Sequence, residues 1–159
     1  MQKAFILIGI PGSGKSTWAR NMKKLNEEIE VFSTDEYRKK YLGDINEQSK
    51  NGFIFHKIYE DILNALNNNK DIIFDATNVS IKDRKQFLQL TSYCKNKPTK
   101  IAVVFNVPTE ECILRDFNRE RTVGKQVIEK FKNKYLTPSI EEGFDIILNG
   151  NLDLNDYKK

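Results

Sequence analysis

Gly9-Ile10-Pro11-Gly12-Ser13-Gly14-Lys15-Ser16 is a complete G-x-x-x-x-G-K-[ST] pattern, and its neighbours decide the fold. The apolar run Ala4-Phe5-Ile6-Leu7-Ile8 precedes it and the helix-compatible Thr17-Trp18-Ala19-Arg20-Asn21-Met22 follows it. Strand, glycine-rich turn and helix are what this pattern needs to aim backbone N–H groups at a polyphosphate. The glycines let the backbone approach oxygen closely, Lys15 has the reach for β- and γ-phosphates, and the Ser16 hydroxyl is a ligand for Mg²⁺. Four fixed positions of this kind arise by chance in about one chain of this length in a few hundred. Gly9, Pro11, Gly12, Ser13, Gly14, Lys15, Ser16 and Thr17 are therefore the expected nucleotide-binding residues.

Working outward, the text alternates strand with helix. Strands are expected at 29–32, 71–75, 100–105 and 144–148, and helices at 49–69, 82–93, 110–118 and 126–136, with helical text also resuming from residue 36. Near-continuous apolar strands between helices imply a parallel sheet covered on both faces. The chain of 159 residues has the length of one α/β domain, 1–159, with a polar tail at about 149–159. It is 39% hydrophobic and 30% charged, its apolar runs are only strand-length, and the N-terminus leads straight into a strand. Those features predict neither a membrane span nor a targeting segment, and a cytoplasmic protein. Cys94 and Cys112 have no C-x-x-C partner, so buried free thiols are expected rather than a disulfide or a zinc site.

A net charge of +4 is too small to diagnose nucleic acid by itself. Between Ile113 and Lys134, however, Arg115, Arg119, Arg121, Lys125, Lys130, Lys132 and Lys134 face only Asp116, Glu120 and Glu129. A solvated helix face accounts for the lysines. Arg115 and Arg119, at i, i+4, are expected on one helix face before the break at Thr122-Val123-Gly124, where a lid over the nucleotide (about 115–136) would bring cations to charge developing on a transferred phosphoryl group.

In open α/β sheets ligands lie beyond the carboxyl ends of the strands, which draws attention to Asp35 and Asp75. Each is also an ordinary N-cap or strand-end residue. At the same edge as a phosphate loop, two acids fit a reaction that must orient or deprotonate an attacking hydroxyl and hold metal or water. Arg38 follows Asp35 by three residues, so if Asp35 caps the helix both rise from its first turn. A carboxylate for a hydroxyl beside a guanidinium for a phosphate makes an acceptor site, and a surface ion pair is the alternative.

The residues 9–20, Ser33-Thr34-Asp35-Glu36-Tyr37-Arg38, Asp75-Ala76-Thr77-Asn78, Arg84, Val107-Pro108, Arg115 with Arg119, and Pro138 ahead of Glu142-Gly143-Phe144 resemble the AAA_33-type P-loop kinases. Within that group the pattern is most similar to the kinase domain of phage and bacterial polynucleotide 5′-hydroxyl kinases, across nearly the whole chain. The resemblance implies a three-layer α/β/α fold with a five-stranded parallel sheet in the order 2-3-1-4-5, where proximity alone suggests strands in sequence order. It implies ATP and Mg²⁺ bound by Lys15 and Ser16, Asp35 as general base, and Arg38 on the acceptor's 3′-phosphate. Asp75 with Asn78 would line the acceptor pocket, Arg84 would join the substrate-binding set, and Arg119 would be the lid arginine, with Arg115 as companion and Arg121 as the competing register.

The implied acceptor is the 5′-hydroxyl end of single-stranded DNA or RNA, guided by Lys39, Lys40, Lys82, Arg84 and Lys85. The Asp-x-Asp-Gly-Thr phosphatase signature of the phage enzymes does not occur, so a kinase without phosphatase activity is expected. A nucleoside or other small-molecule kinase and a nucleotide-binding switch remain as alternative readings.

Overall fold

In β1 (Lys3–Ile8) the side chains alternate between two buried clusters, and this alternation builds the layers. Ala4, Ile6 and Ile8 join one cluster; Phe5 and Leu7 join the other. The computed structural model describes residues 1–45, 49–119 and 123–151. In chain order the elements after β1 are α1 (Lys15–Leu25), β2 (Glu30–Ser33), α2 (Thr34–Leu42), α3 (Asn51–Asn67), β3 (Ile72–Asp75), α4 (Ile81–Ser92), β4 (Thr99–Val104), α5 (Thr109–Phe117), α6 (Lys125–Lys134) and β5 (Ile146–Asn149), with a 3₁₀ turn at Ile140–Glu142 before the last strand.

All pairings are parallel, and the order is β2-β3-β1-β4-β5, as the resemblance implied and sequence proximity did not. One face of the sheet packs Ile54, Ile58, Ile62 and Leu66 of α3 and Phe87 of α4 against Ile6, Ile72 and Phe74. The opposite face takes Trp18 and Ala19 of α1 against Phe5, Leu7, Ile73 and Val103. Trp18 meets Phe5 and Phe105 edge-on, with centroids 5.6 and 6.3 Å away. Such pairs contribute about 0.5–1.5 kcal/mol each beyond burial, and here they hold the helix that follows the phosphate loop.

A third, smaller cluster of Ile10, Val79, Cys112 and Ile128 seats α5 and α6 beside that loop. Both cysteines are free and buried, as expected. Because every strand is parallel, Ser33, Asp75, Ile8, Val104 and Asn149 all end on one edge. No helix among the described residues is long and apolar enough to cross a membrane.

Candidate active site

The carboxyl edge opens into a cleft of about 950 Å³. Its donor end begins at the glycine-rich turn. Gly12 and Gly14 take φ of 84° and 101°, values that an L side chain rarely adopts. A Cβ on Gly12 would also stand 2.6 Å from the Cys112 carbonyl oxygen, so the turn lies directly against α5. Gly14 caps α1 without a side-chain hydrogen bond, and the first turn of α1 holds no acidic residue. The N–H groups of that turn are thus left for an anion, where the helix dipole adds to the attraction. Ser13 Oγ, buried within the loop, has no hydrogen-bond partner among the described residues, and an oxyanion would supply one.

Lys15 is 8% exposed and donates Nζ to the Ile10 carbonyl at 3.0 Å. Burial lowers its pKa, and the negative charges of Asp75 and Asp35 pull it back up. Both acids therefore lie within the field of this ammonium. Ser16 Oγ donates to Asp75 Oδ2 at 2.9 Å. Burial raises the Asp75 pKa while Lys15 and the Ser16 hydroxyl act against the rise. Asp75, expected in the acceptor pocket, lines the same cleft as Asp35 and Arg38 and there accepts the hydroxyl of the phosphate loop's Ser16.

Across the cleft stand Asp35 and Arg38, joined at 3.3 Å, with the Arg38 side chain 9% exposed and that of Asp35 43%. The second guanidinium nitrogen of Arg38 donates to Asn51 Oδ1 at 2.9 Å, tying the start of α2 to the start of α3. Ser33, and not Asp35, is the N-cap of α2: its hydroxyl accepts from the Glu36 N–H at 3.4 Å. Asp35 and Arg38 are therefore the second and fifth residues of α2, still i, i+3 neighbours as their spacing suggested, and Asp35 is spared from capping and lines the cleft.

The lid arginines also differ from expectation in detail. α5 ends at Phe117, so Arg119 lies past the C-cap Asn118 and off the helix. Both Arg115 and Arg119 nevertheless line the cleft. Arg115 donates to the Gly12 carbonyl at 3.4 Å and pairs with Glu111 at 2.6 Å, while Arg119 pairs with Asp116. Burial acts against ionisation of Asp116, but N–H donors from Val123 and Gly124 and the Arg119 guanidinium outweigh it and hold the carboxyl below its usual range. Arg121 lies outside the described residues, as do the final eight positions of the polar tail.

Two expected acceptor residues are absent from the cleft. Arg84 is fully buried, donating Nε and Nη2 to the two Glu142 oxygens at 2.8 and 3.2 Å and Nη1 to the Asn78 carbonyl at 3.1 Å. A guanidinium sealed in this way can neither hold an acceptor nor guide a strand. Asn78, 2% exposed with φ of 47°, spends its amide on the Leu7 carbonyl at 2.9 Å, which pins the turn after β3 to β1.

Residues that sequence reasoning passed over include Asn51, Phe55, Phe105 and Gly150, all lining the cleft. Nothing local marks them, since the contacts that matter come from distant elements: a Cβ on Gly150 would stand 2.5 Å from the Phe105 ring.

The AAA_33 sequence family, described as an AAA domain, matches residues 5–138. The chain belongs to the AAA_33 family. Its fold is that of the P-loop kinase domains of this family. Among curated relatives, the L-seryl-tRNA(Sec) kinase of Methanococcus maripaludis is 24% identical over 145 residues, covering 89% of this chain and 55% of the relative. The AAA_33 chain thus spans about half the length of that relative.

Among solved structures, a chain of the Pnkp1/Rnl/Hen1 RNA repair complex matches with a TM-score of 0.73 and 26% identity, over 84% of this chain and 43% of that one. Chaetomium thermophilum Kti12 in complex with ADP-AlF3 matches with a TM-score of 0.75, at 15% identity over 98% of this chain and 93% of that one, and so shares the fold.

Proposed function

We propose that this kinase transfers the γ-phosphoryl group of ATP to the 5′-hydroxyl of a DNA or RNA strand. The observation that carries the reading is the Asp35–Arg38–Asn51 cluster, a carboxylate beside a largely buried guanidinium, lining the same cleft as Lys15 and Ser16. A site that only bound or hydrolysed nucleotide has no use for such a cluster opposite the phosphate loop. The likeness to a chain of an RNA repair complex supports a nucleic-acid acceptor.

Asp35 accepts the proton of the attacking hydroxyl, and Arg38 holds the phosphate on the 3′ side of the terminal nucleotide. Lys15 leaves the Ile10 carbonyl for the donor phosphates, and Arg119, with Arg115 beside it, meets the charge that builds on the transferring group. Ser16 and Asp75 suit Mg²⁺, because a hydroxyl and a carboxylate already in contact beside the loop are the oxygen donors that a hard cation takes. When bound there the ion neutralises charge on the β- and γ-oxygens. Two free thiols suit a reducing, cytoplasmic setting.

The test is phosphate transfer from labelled ATP to a 5′-hydroxyl oligonucleotide, a nucleoside 3′-monophosphate and the plain nucleoside. A hydrogen-bonded contact to a charged group is worth about 1.5–3 kcal/mol, so the 3′-phosphate should improve the acceptor at least about tenfold, and Arg38→Ala should abolish that preference. Equal rates on nucleoside and nucleoside 3′-monophosphate dismiss the nucleic-acid acceptor and leave a small-molecule kinase. The curated seryl-tRNA kinase relative favours a second reading, a hydroxyl carried on an aminoacyl-tRNA. Transfer to seryl-tRNA without transfer to oligonucleotides decides for it.

A further inference from the structure

Tyr41 stands one turn beyond Arg38 on α2, and Phe53 stands two residues beyond Asn51 on α3. The two rings meet edge-to-face, centroids 6.0 Å apart and planes at 85°, yet they remain 37% and 48% exposed. Tyr37 braces Tyr41 from behind at 5.7 Å, its own hydroxyl fixed on Asp61 at 2.5 Å. Lys40 and Lys57 bring Nζ to 5.1 and 5.8 Å from the Tyr41 centroid.

Single exposed apolar side chains are ordinary on a protein surface. Two adjoining rings, held from below, with two mobile ammonium groups over Tyr41 that a base would displace toward its phosphates, have instead the composition of a surface on which bases stack while cations meet the backbone. The spacing also fits. Three helical residues separate Arg38 from Tyr41, about 4.5 Å along the axis, comparable to the ~3.4 Å per nucleotide of a stacked strand.

We propose that Tyr41 and Phe53, with Lys40 and Lys57, form a stacking platform for a base on the 3′ side of the acceptor nucleotide in single-stranded nucleic acid. The proposal rests on the reading of Asp35 and Arg38 as the acceptor site. A strand whose first internucleotide phosphate lies on Arg38 continues along α2 toward Tyr41. The platform therefore recognises chain length beyond one nucleotide and is indifferent to sequence, because every base has a stacking face.

The experiment compares KM and kcat for a 5′-hydroxyl octanucleotide and for a nucleoside 3′-monophosphate in the wild type, Tyr41→Ala/Phe53→Ala and Tyr41→Phe. Binding of a fluorescent single strand is followed in parallel by anisotropy. Loss of stacking should raise the octanucleotide KM and the strand Kd about tenfold, with kcat and the mononucleotide KM changed less than twofold, and Tyr41→Phe should restore the wild-type values. Mononucleotide activity doubles as the check on folding. Lys40→Ala/Lys57→Ala, which leaves the rings in place, should lower the slope of log Kd against log salt by about 1.4.

An unchanged octanucleotide KM and Kd in the ring variant, in an enzyme that still phosphorylates it, overturns the platform and leaves the kinase reading standing. Strand binding that depends on the rings, without any transfer to a 5′-hydroxyl, supports the platform and refutes the acceptor chemistry. Neither binding nor transfer refutes both.

Discussion

Replacing Arg84 by methionine separates a structural arginine from an acceptor-binding one. Arg84 is fully buried, and its partner Glu142 has a side chain only 10% exposed. The guanidinium makes three hydrogen bonds, two to the Glu142 carboxylate and one to the carbonyl of Asn78. Glu142 is itself shared, accepting the Ser139 N–H at 2.8 Å in a capping box.

Methionine keeps most of the volume but leaves a carboxylate behind with one N–H partner, and breaking a buried pair from one side costs about 3–5 kcal/mol. For a domain of this size that is a fall of roughly 6–20 °C in Tm. Glu142→Leu, which leaves the buried guanidinium without its carboxylate, should fall in the same range. The double variant Arg84→Met/Glu142→Leu should recover much of the loss, since an apolar pair avoids the desolvation that the ionic pair bears. Thermal and urea unfolding of the four proteins, analysed as a double-mutant cycle, reads the coupling directly. If Arg84→Met unfolds within 0.5 kcal/mol of the wild type and instead raises KM for the acceptor, the buried ion pair is wrong and the acceptor role that the sequence suggested returns.

Three further outcomes are expected. Asp35→Asn should lower kcat by about 10²–10⁴ with nucleotide affinity largely kept; full activity in single-turnover assays would remove Asp35 as the base. Gly12→Ala forces an unfavourable φ and a 2.6 Å clash with the Cys112 carbonyl, so α5 and the Arg115 contact to Gly12 must shift. It should lose about 2 kcal/mol or more of stability and much of its ATP binding, with calorimetry and titration as the readouts. Asp116 has a folded-state pKa below its ordinary value, so its stabilisation is present above the unfolded pKa of about 3.9 and is lost as pH falls through the folded value. The stability gap between wild type and Asp116→Asn should therefore hold constant from about pH 5 to 8 and shrink below about pH 4. A gap that widens on acidification contradicts that sign.

The elements were legible because the central strands are buried on both faces. Ile72-Ile73-Phe74 and Ala4 to Ile8 carry unbroken apolar text, and α3 repeats its buried isoleucines at helical spacing. Strand order was not legible that way, since a parallel connection runs through a helix and places its ends by handedness and packing and not by nearness in sequence. It came from the resemblance. Boundaries slipped by a residue or two where a cap decided them: Ser33, offering its hydroxyl to Glu36, starts α2 earlier than the text from residue 36 implied.

The site was legible to the extent that its chemistry is local. Lys15 and Ser16 sit in one continuous turn, and Asp35 with Arg38 in one turn of helix, so spacing alone put each pair together. Arg84 carried a similar sequence credential, an arginine on the helix after a strand-end acid, and reached the opposite fate. What separates Arg38 from Arg84 is Glu142, 58 residues beyond Arg84, which the 3₁₀ turn brings into the core against α4. Arg38 pairs with the half-exposed Asp35 and the neutral Asn51 and lines the cleft. An arginine's role in this fold is thus set by the distant carboxylate that reaches it first, and a single sequence records the arginine without recording that encounter.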